Sequence, residues 1–136
     1  MNDVTETLNM VVNKILNEYG RPKAILSISA HWYMDDTYIQ SALEPKQIYD
    51  MYGFPKELYN VKYSPKGFID LTNRVLKLLG SDVKINDKWG IDYGSWSILM
   101  HMFPKCDIPV VQLSISNKLS NEEILGIGKK LSCLKD

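Results

Sequence analysis

The sequence predicts an α/β fold: three layers, αβα, around a mixed, partly parallel central sheet. Two observations lead there. Residues 24–30 and 108–115 are apolar runs with β-branched residues, the pattern of buried strands. Between and around them, apolar residues recur at spacings of three and four, the pattern of one helix face. Strands that alternate with helices belong to sheets that are at least partly parallel. The 136 residues are the size of one domain, residues 1–136, and are enough to build a core without staples.

Taken in order, Val4, Leu8, Val11, Val12, Ile15, Leu16 and Tyr19 form the stripe of an amphipathic helix that Gly20 and Pro22 stop. After the strand at 24–30, residues 37–42 alternate and read as a second strand. Residues 44–64 are rich in Pro, Tyr and Gly and read as a long loop, a length that is commonly functional. Ser64-Pro65 opens a second helix with Phe68, Leu71, Val75, Leu78 and Leu79 on its apolar face, ended by Gly80. A short strand follows at 83–85, then a glycine-containing loop at 89–96 and a short helix at 97–103 before Pro104. Ser120-Asn121-Glu122-Glu123 is a helix start, and Ile124, Ile127, Leu131 and Leu134 lie on one face after it.

Sixteen basic and sixteen acidic residues give a formal net charge of zero, which offers no electrostatic case for nucleic acid or an anionic membrane. No apolar run is long enough to span a bilayer, and MNDVTETLNM lacks a cleavable signal pattern, so a cytoplasmic location is expected. Cys106 and Cys133 have no CxxC spacing and are expected as reduced core thiols.

The chain has two histidines. His31 follows the first buried run, where α/β sheets collect ligands. A neutral imidazole there binds a metal or moves a proton, or else caps backbone as a structural group. His101 sits among large apolar residues and reads as structural. In GIDYGSW, Asp92 and Tyr93 lie between two glycines that permit close backbone approach. The Tyr93 hydroxyl could face an oxyanion, but packing is the simpler role. YDMYGFP and ELYNVKYS bring Tyr49, Tyr52, Tyr59 and Tyr63 near Phe54. Such a cluster either lines a pocket for a planar substrate or pins the loop by its own ring packing.

Three strings occur in order: RPKAILSISAHWY, IYDMYGFPKELYNVKYSPKG and WGIDYGSWSILMHMFPKCDIPVVQLSIS. Together they resemble the class III extradiol ring-cleavage dioxygenases, in the DOPA-type branch with a LigB-like catalytic subunit. The resemblance runs from about Gly20 onward. It implies an α/β fold with helices on both faces of a mixed sheet, and catechol ring opening by dioxygen at a non-haem iron(II), with zinc in some members. It makes His31, in the family's SAHW-like motif, a metal ligand. It places Tyr49, Tyr52, Phe54 and Asp92 around an aromatic substrate. Tyr93 stands where the family has an active-site histidine, since IDYG replaces the family's LDHG. By this resemblance the chain starts after a family motif that holds one metal ligand and ends before another. The domain is then incomplete at both ends.

From those departures the chain alone is expected to be inactive and to hold no stoichiometric iron(II) or zinc. The non-haem iron site needs about three protein ligands, and a free phenol, titrating near pH 10, is a poor general base. The alternatives are an active dioxygenase completed by another polypeptide and a small α/β binding domain without catalysis. An aromatic small molecule is the expected ligand. Strands missing relative to the family should leave open sheet edges, so self-association is expected, most simply as a homodimer.

Overall fold

A computed structural model of the chain describes residues 3–135. Helix α1 spans Asp3–Tyr19, α2 Ile69–Leu79, α3 Tyr93–Met102 and α4 Asn121–Leu131. Strands β1 (Ile25–Met34), β2 (Tyr38–Ile39), β3 (Lys84–Ile85) and β4 (Val110–Ser116) form one sheet in the order β1-β4-β2-β3. β1 runs parallel to β4 and β2 parallel to β3, while β2 and β4 are antiparallel. The sheet is therefore mixed and partly parallel, as expected from the sequence.

β4 organises the two faces. Its side chains alternate, as in any strand. Val111 and Leu113 enter a core with Val75 and Leu79 of α2, Leu131 of α4 and Ile39 of β2. Val110 enters the opposite core with Trp96 and Leu99 of α3, Ile91 and Met51. Helices thus cover both faces, and α1 packs on α3. The start of α4 follows from its sequence: Ser120 Oγ accepts from Glu123 N at 3.1 Å, while Glu123 Oε1 accepts from Ser120 N at 3.1 Å. Both otherwise unpaired donors are satisfied reciprocally.

Several expected boundaries move. β1 does not end before His31; it continues to Met34 and is an edge strand, half-exposed, where a buried central one was expected. Its register on β4 slips between Ile28 and Tyr33. Only Tyr38–Ile39 of the 37–42 run is strand, because β2 meets its neighbours over so short a length. Helix α2 starts at Ile69, four residues after Pro65. The 89–96 loop is helical from Tyr93, where α3 begins. Within residues 44–64 there is a 3-10 turn, Lys56–Asn60, and Gln47 bridges Ile91. Gly90 is required at that bridge, since a Cβ there would collide with the Lys46 carbonyl that accepts from Ile91 N. Of the α1 stripe only Val12 is buried; Val4, Val11, Leu16 and Tyr19 are exposed. Both cysteines are free as expected, but Cys133 is exposed and lies outside the core.

Because Leu113 is 2% exposed at the centre of the sheet and Ile85 is 51% exposed at its edge, the two should respond differently to truncation. Leu113→Ala is expected to cost about 3 kcal/mol of unfolding free energy, and Ile85→Ala well under about 1 kcal/mol. Urea denaturation followed by circular dichroism measures both.

Candidate functional site

The register slip in β1 falls on residues 29–32 and contains His31. Bulges of this kind bend a strand and re-aim its side chains. Here Ser27, Ser29 and His31 all meet the first turn of α3. Ser27 Oγ donates to Ser95 Oγ at 2.7 Å, the single Ser95 hydroxyl proton being used on Gln112 Oε1 at 2.8 Å. Gly94 makes this approach feasible: a Cβ on it would lie 2.7 Å from Ser29 Oγ and 2.9 Å from His31 Cδ2. No larger residue fits without displacing the histidine.

Asp92 is fully buried, and its carboxylate accepts four hydrogen bonds. Ser29 Oγ (2.8 Å) and Ser95 N (3.1 Å) donate to Oδ1; Trp89 Nε1 (2.8 Å) and Gln112 Nε2 (2.9 Å) donate to Oδ2. Through the Ser95 contact Asp92 is also the N-cap of α3. The sequence places Asp92 beside a substrate. In the structure both of its oxygens accept from donors of the protein, and it braces the start of α3.

Directly after this cap, the Tyr93 backbone N–H donates to Asp50 Oδ1 at 2.8 Å. The other oxygen of Asp50 accepts from His31 Nδ1 at 2.7 Å. An ionised carboxylate only accepts, so Nδ1 carries the proton and Nε2 is left as the ring's acceptor nitrogen. The His31 side chain is 39% exposed and that of Asp50 16%. Around this pair stand aromatic rings. Tyr93 lies 6.1 Å from the His31 ring, 5.4 Å from Phe54 and 5.0 Å from Trp96, the last edge-on.

Of the candidate residues, then, His31, Tyr93 and Phe54 come together. Tyr49 stands one ring further back, edge-on to Trp96 at 5.6 Å, and its hydroxyl donates to Val61 O at 2.6 Å. Tyr59 and Tyr63 likewise donate to the Met51 and Phe103 carbonyls. Burial pushes the titration of the Tyr63 hydroxyl far above its ordinary range. These three tyrosines pin the loop. Tyr52 is 95% exposed and makes no part of the ring cluster. Sequence reasoning missed Asp50. Its signal was a lone carboxylate inside the aromatic string IYDMYGFP, where a loop tyrosine draws more notice.

The family model for the "Catalytic LigB subunit of aromatic ring-opening dioxygenase" matches residues 1–133. The chain belongs to the LigB family. The chain is 42% identical over 120 residues to the 4,5-DOPA dioxygenase extradiol of Beta vulgaris, covering 85% of this chain and 45% of that protein. It is 40% identical over 118 residues to the 4,5-DOPA dioxygenase extradiol of Escherichia coli K12, covering 85% and 44%. The crystal structure of an uncharacterized protein from Escherichia coli K12 superposes with a TM-score of 0.78 at 31% identity, covering 99% of this chain and 49% of that one. The chain thus spans about half the length of the curated relatives it matches. The three-layer α/β architecture agrees with this neighbour. Among the described residues no helix is long and apolar enough to cross a membrane.

LigB-family dioxygenases generally use a metal. A mononuclear iron(II) or zinc centre takes about three protein ligands. Here the donor set is one imidazole and one carboxylate already bonded to it. Among the described residues no group of three or more His, Cys, Asp and Glu is arranged so that it could hold a metal ion. The donors in this chain do not by themselves fit such a metal.

Replacing Asp92 by Asn turns one of its two acceptor oxygens into a donor that faces existing donors. Asp92→Asn is expected to lower stability by about 2–4 kcal/mol. Asp50→Asn, at a half-buried position, is expected to cost about 1 kcal/mol or less. Thermal and urea unfolding of the two variants side by side checks the ordering.

Proposed function

We propose that this chain supplies the histidine–carboxylate corner of an extradiol-dioxygenase-type site, receives a planar aromatic ligand against Tyr93 and Phe54, and does not cleave catechols on its own. The observation that supports this is the His31–Asp50–Tyr93 arrangement. One carboxylate orients the imidazole through Nδ1 and ties it to the start of α3, leaving Nε2 available. The flat rings beside it suit a catechol-like molecule, which is recognised by stacking and by hydrogen bonds to its hydroxyls. Ring opening asks more of a site. It needs a ligand set that holds iron(II) with open positions, and a base that takes a catechol proton. The hydroxyl of Tyr93, at the position where the family resemblance expects a histidine, is a poor substitute for that base.

A second reading has its own support. A metal-ligating histidine usually donates its other ring nitrogen to a carboxylate, and His31 does so to Asp50. On this reading another polypeptide adds the remaining ligands and the metal is iron(II) or zinc.

Protein loaded anaerobically with iron(II) is expected to consume no oxygen with DOPA above the rate of His31→Ala, and Tyr93→His alone should not raise it. Titration of catechol into the wild type should shift NMR signals of His31 and Phe54, with the Phe54 shifts weakened in His31→Ala. Oxygen uptake dependent on His31 overturns the inactive reading. Absence of any catechol-induced shift overturns the ligand assignment.

A further inference from the structure

We infer that Asp50 is a positioning residue that sets the polarity of this site: by locking the His31 tautomer it selects ligands that donate a hydrogen bond over those that only accept. The choice of phenols as those ligands rests on the aromatic ligand proposed above; the lock on the tautomer does not.

Asp50 is held at both oxygens. The Tyr93 N–H donates to Oδ1 at 2.8 Å, and His31 Nδ1 lies 2.7 Å from Oδ2. Tyr93 is the first residue of α3, and amides in the first turn of a helix have no partner within it. That N–H donates whatever the state of His31, so it settles which way the Asp50 side chain faces. The helix terminus also favours a negative charge beside it. An ionised carboxylate offers Nδ1 an acceptor only and draws the ring proton there. A neutral imidazole carries one such proton, so Nε2 keeps a bare lone pair. Gly94 clears the ring edge next to Nε2, since a Cβ there would lie 2.9 Å from Cδ2.

A bare lone pair accepts and does not donate. A catechol hydroxyl donates to it; an aryl ether, which only accepts, sets lone pair against lone pair. Tyr93 and Phe54, with ring centroids 5.4 Å apart, offer either molecule the same aromatic surface, so the polarity of Nε2 decides between them. Asp50→Asn reverses that polarity. The Tyr93 N–H needs an acceptor, so the amide oxygen takes the Oδ1 place and the NH2 group faces Nδ1. Two donors make no hydrogen bond, so Nδ1 gives up its proton and Nε2 carries it. The opposite amide orientation would set NH2 against the Tyr93 N–H and leave that N–H unpaired.

Long-range 1H–15N correlation spectra of the ligand-free chain at pH ~8.5, well above the ordinary imidazole value, read the place of the proton. His31→Ala identifies the His31 signals against those of His101. The expected result is a protonated Nδ1 and a bare Nε2 in the wild type, the reverse in Asp50→Asn, and an average of the two forms in Asp50→Ala. Circular dichroism checks that the variants fold. A wild-type ring protonated at Nε2, or an Asp50→Asn ring still protonated at Nδ1, overturns the inference. Should Asp50→Asn not fold, Asp50→Ala decides: a ring wholly protonated at Nδ1 without the carboxylate overturns the lock. Titration with catechol and with 1,3-benzodioxole, whose oxygens only accept, reads the selectivity. The wild type should bind catechol about tenfold more tightly, and Asp50→Asn should bring the two close to equal by admitting the ether. Equal affinities in the wild type overturn the selectivity. Binding of neither compound, with the tautomers as expected, overturns the aromatic-ligand reading and leaves the tautomer lock standing.

Discussion

Everything around the candidate site depends on a charge that would be costly to bury alone. The Asp92 carboxylate is out of contact with water, and an unpaired ion in that position would lose several kcal/mol of hydration. Four donors from four different parts of the chain replace that water: β1 through Ser29, β4 through Gln112, the loop before α3 through Trp89, and α3 through Ser95. The network extends further. Gln112 N donates to Gln40 Oε1, and Thr72 Oγ1 of α2 donates to Gln40 O. A polar chain thus passes through the sheet from one helical layer toward the other. Such networks specify an arrangement more than they add net stability, because each member fits only one geometry.

That arrangement determines where the exposed chemistry sits. Asp92 sets the first residue of α3, so the Tyr93 N–H points at Asp50 and Gly94 lies flat against β1. Asp50 then holds His31 by its other oxygen. A buried carboxylate positions a helix, and the helix positions a half-buried carboxylate that orients an imidazole. The histidine is held within a hydrogen-bond length although it sits on a bulge and is 39% exposed. Preorganisation of this kind, with supporting groups locked by packing, is what a ligand site requires.

The two outer strands of the sheet differ in length, and the contrast has a local origin. β3 is short because β2 meets it over only two residues. β1 is long because the run from Ile25 to Met34 has no residue that breaks a strand, and β4 supports both ends of it. The bulge between them absorbs the extra residues and turns the histidine toward α3. The same strand therefore presents the site on one face and an apolar shoulder at Ile28 on the other.

The sequence alone determined the α/β class, the identity of the main helices, the capping box of α4 and the central strand β4. Each of these is a local pattern: an apolar period, or a side chain satisfying backbone three residues away. It also brought His31, Tyr93 and the aromatic loop into one proposed site through their likeness to a family. The sequence could not show the reach of Asp92, because its donors lie up to 63 residues away, at Ser29. Nor could it show Asp50 as the partner of His31 across 19 residues. Tyr52 and Tyr93 look alike in their strings, yet one is in solvent and the other among rings. Only the tertiary structure decided these, since a hydrogen bond between distant residues depends on how the strands pair. The order β1-β4-β2-β3 and the slip in β1 are properties of that pairing, with no period in the chain to announce them.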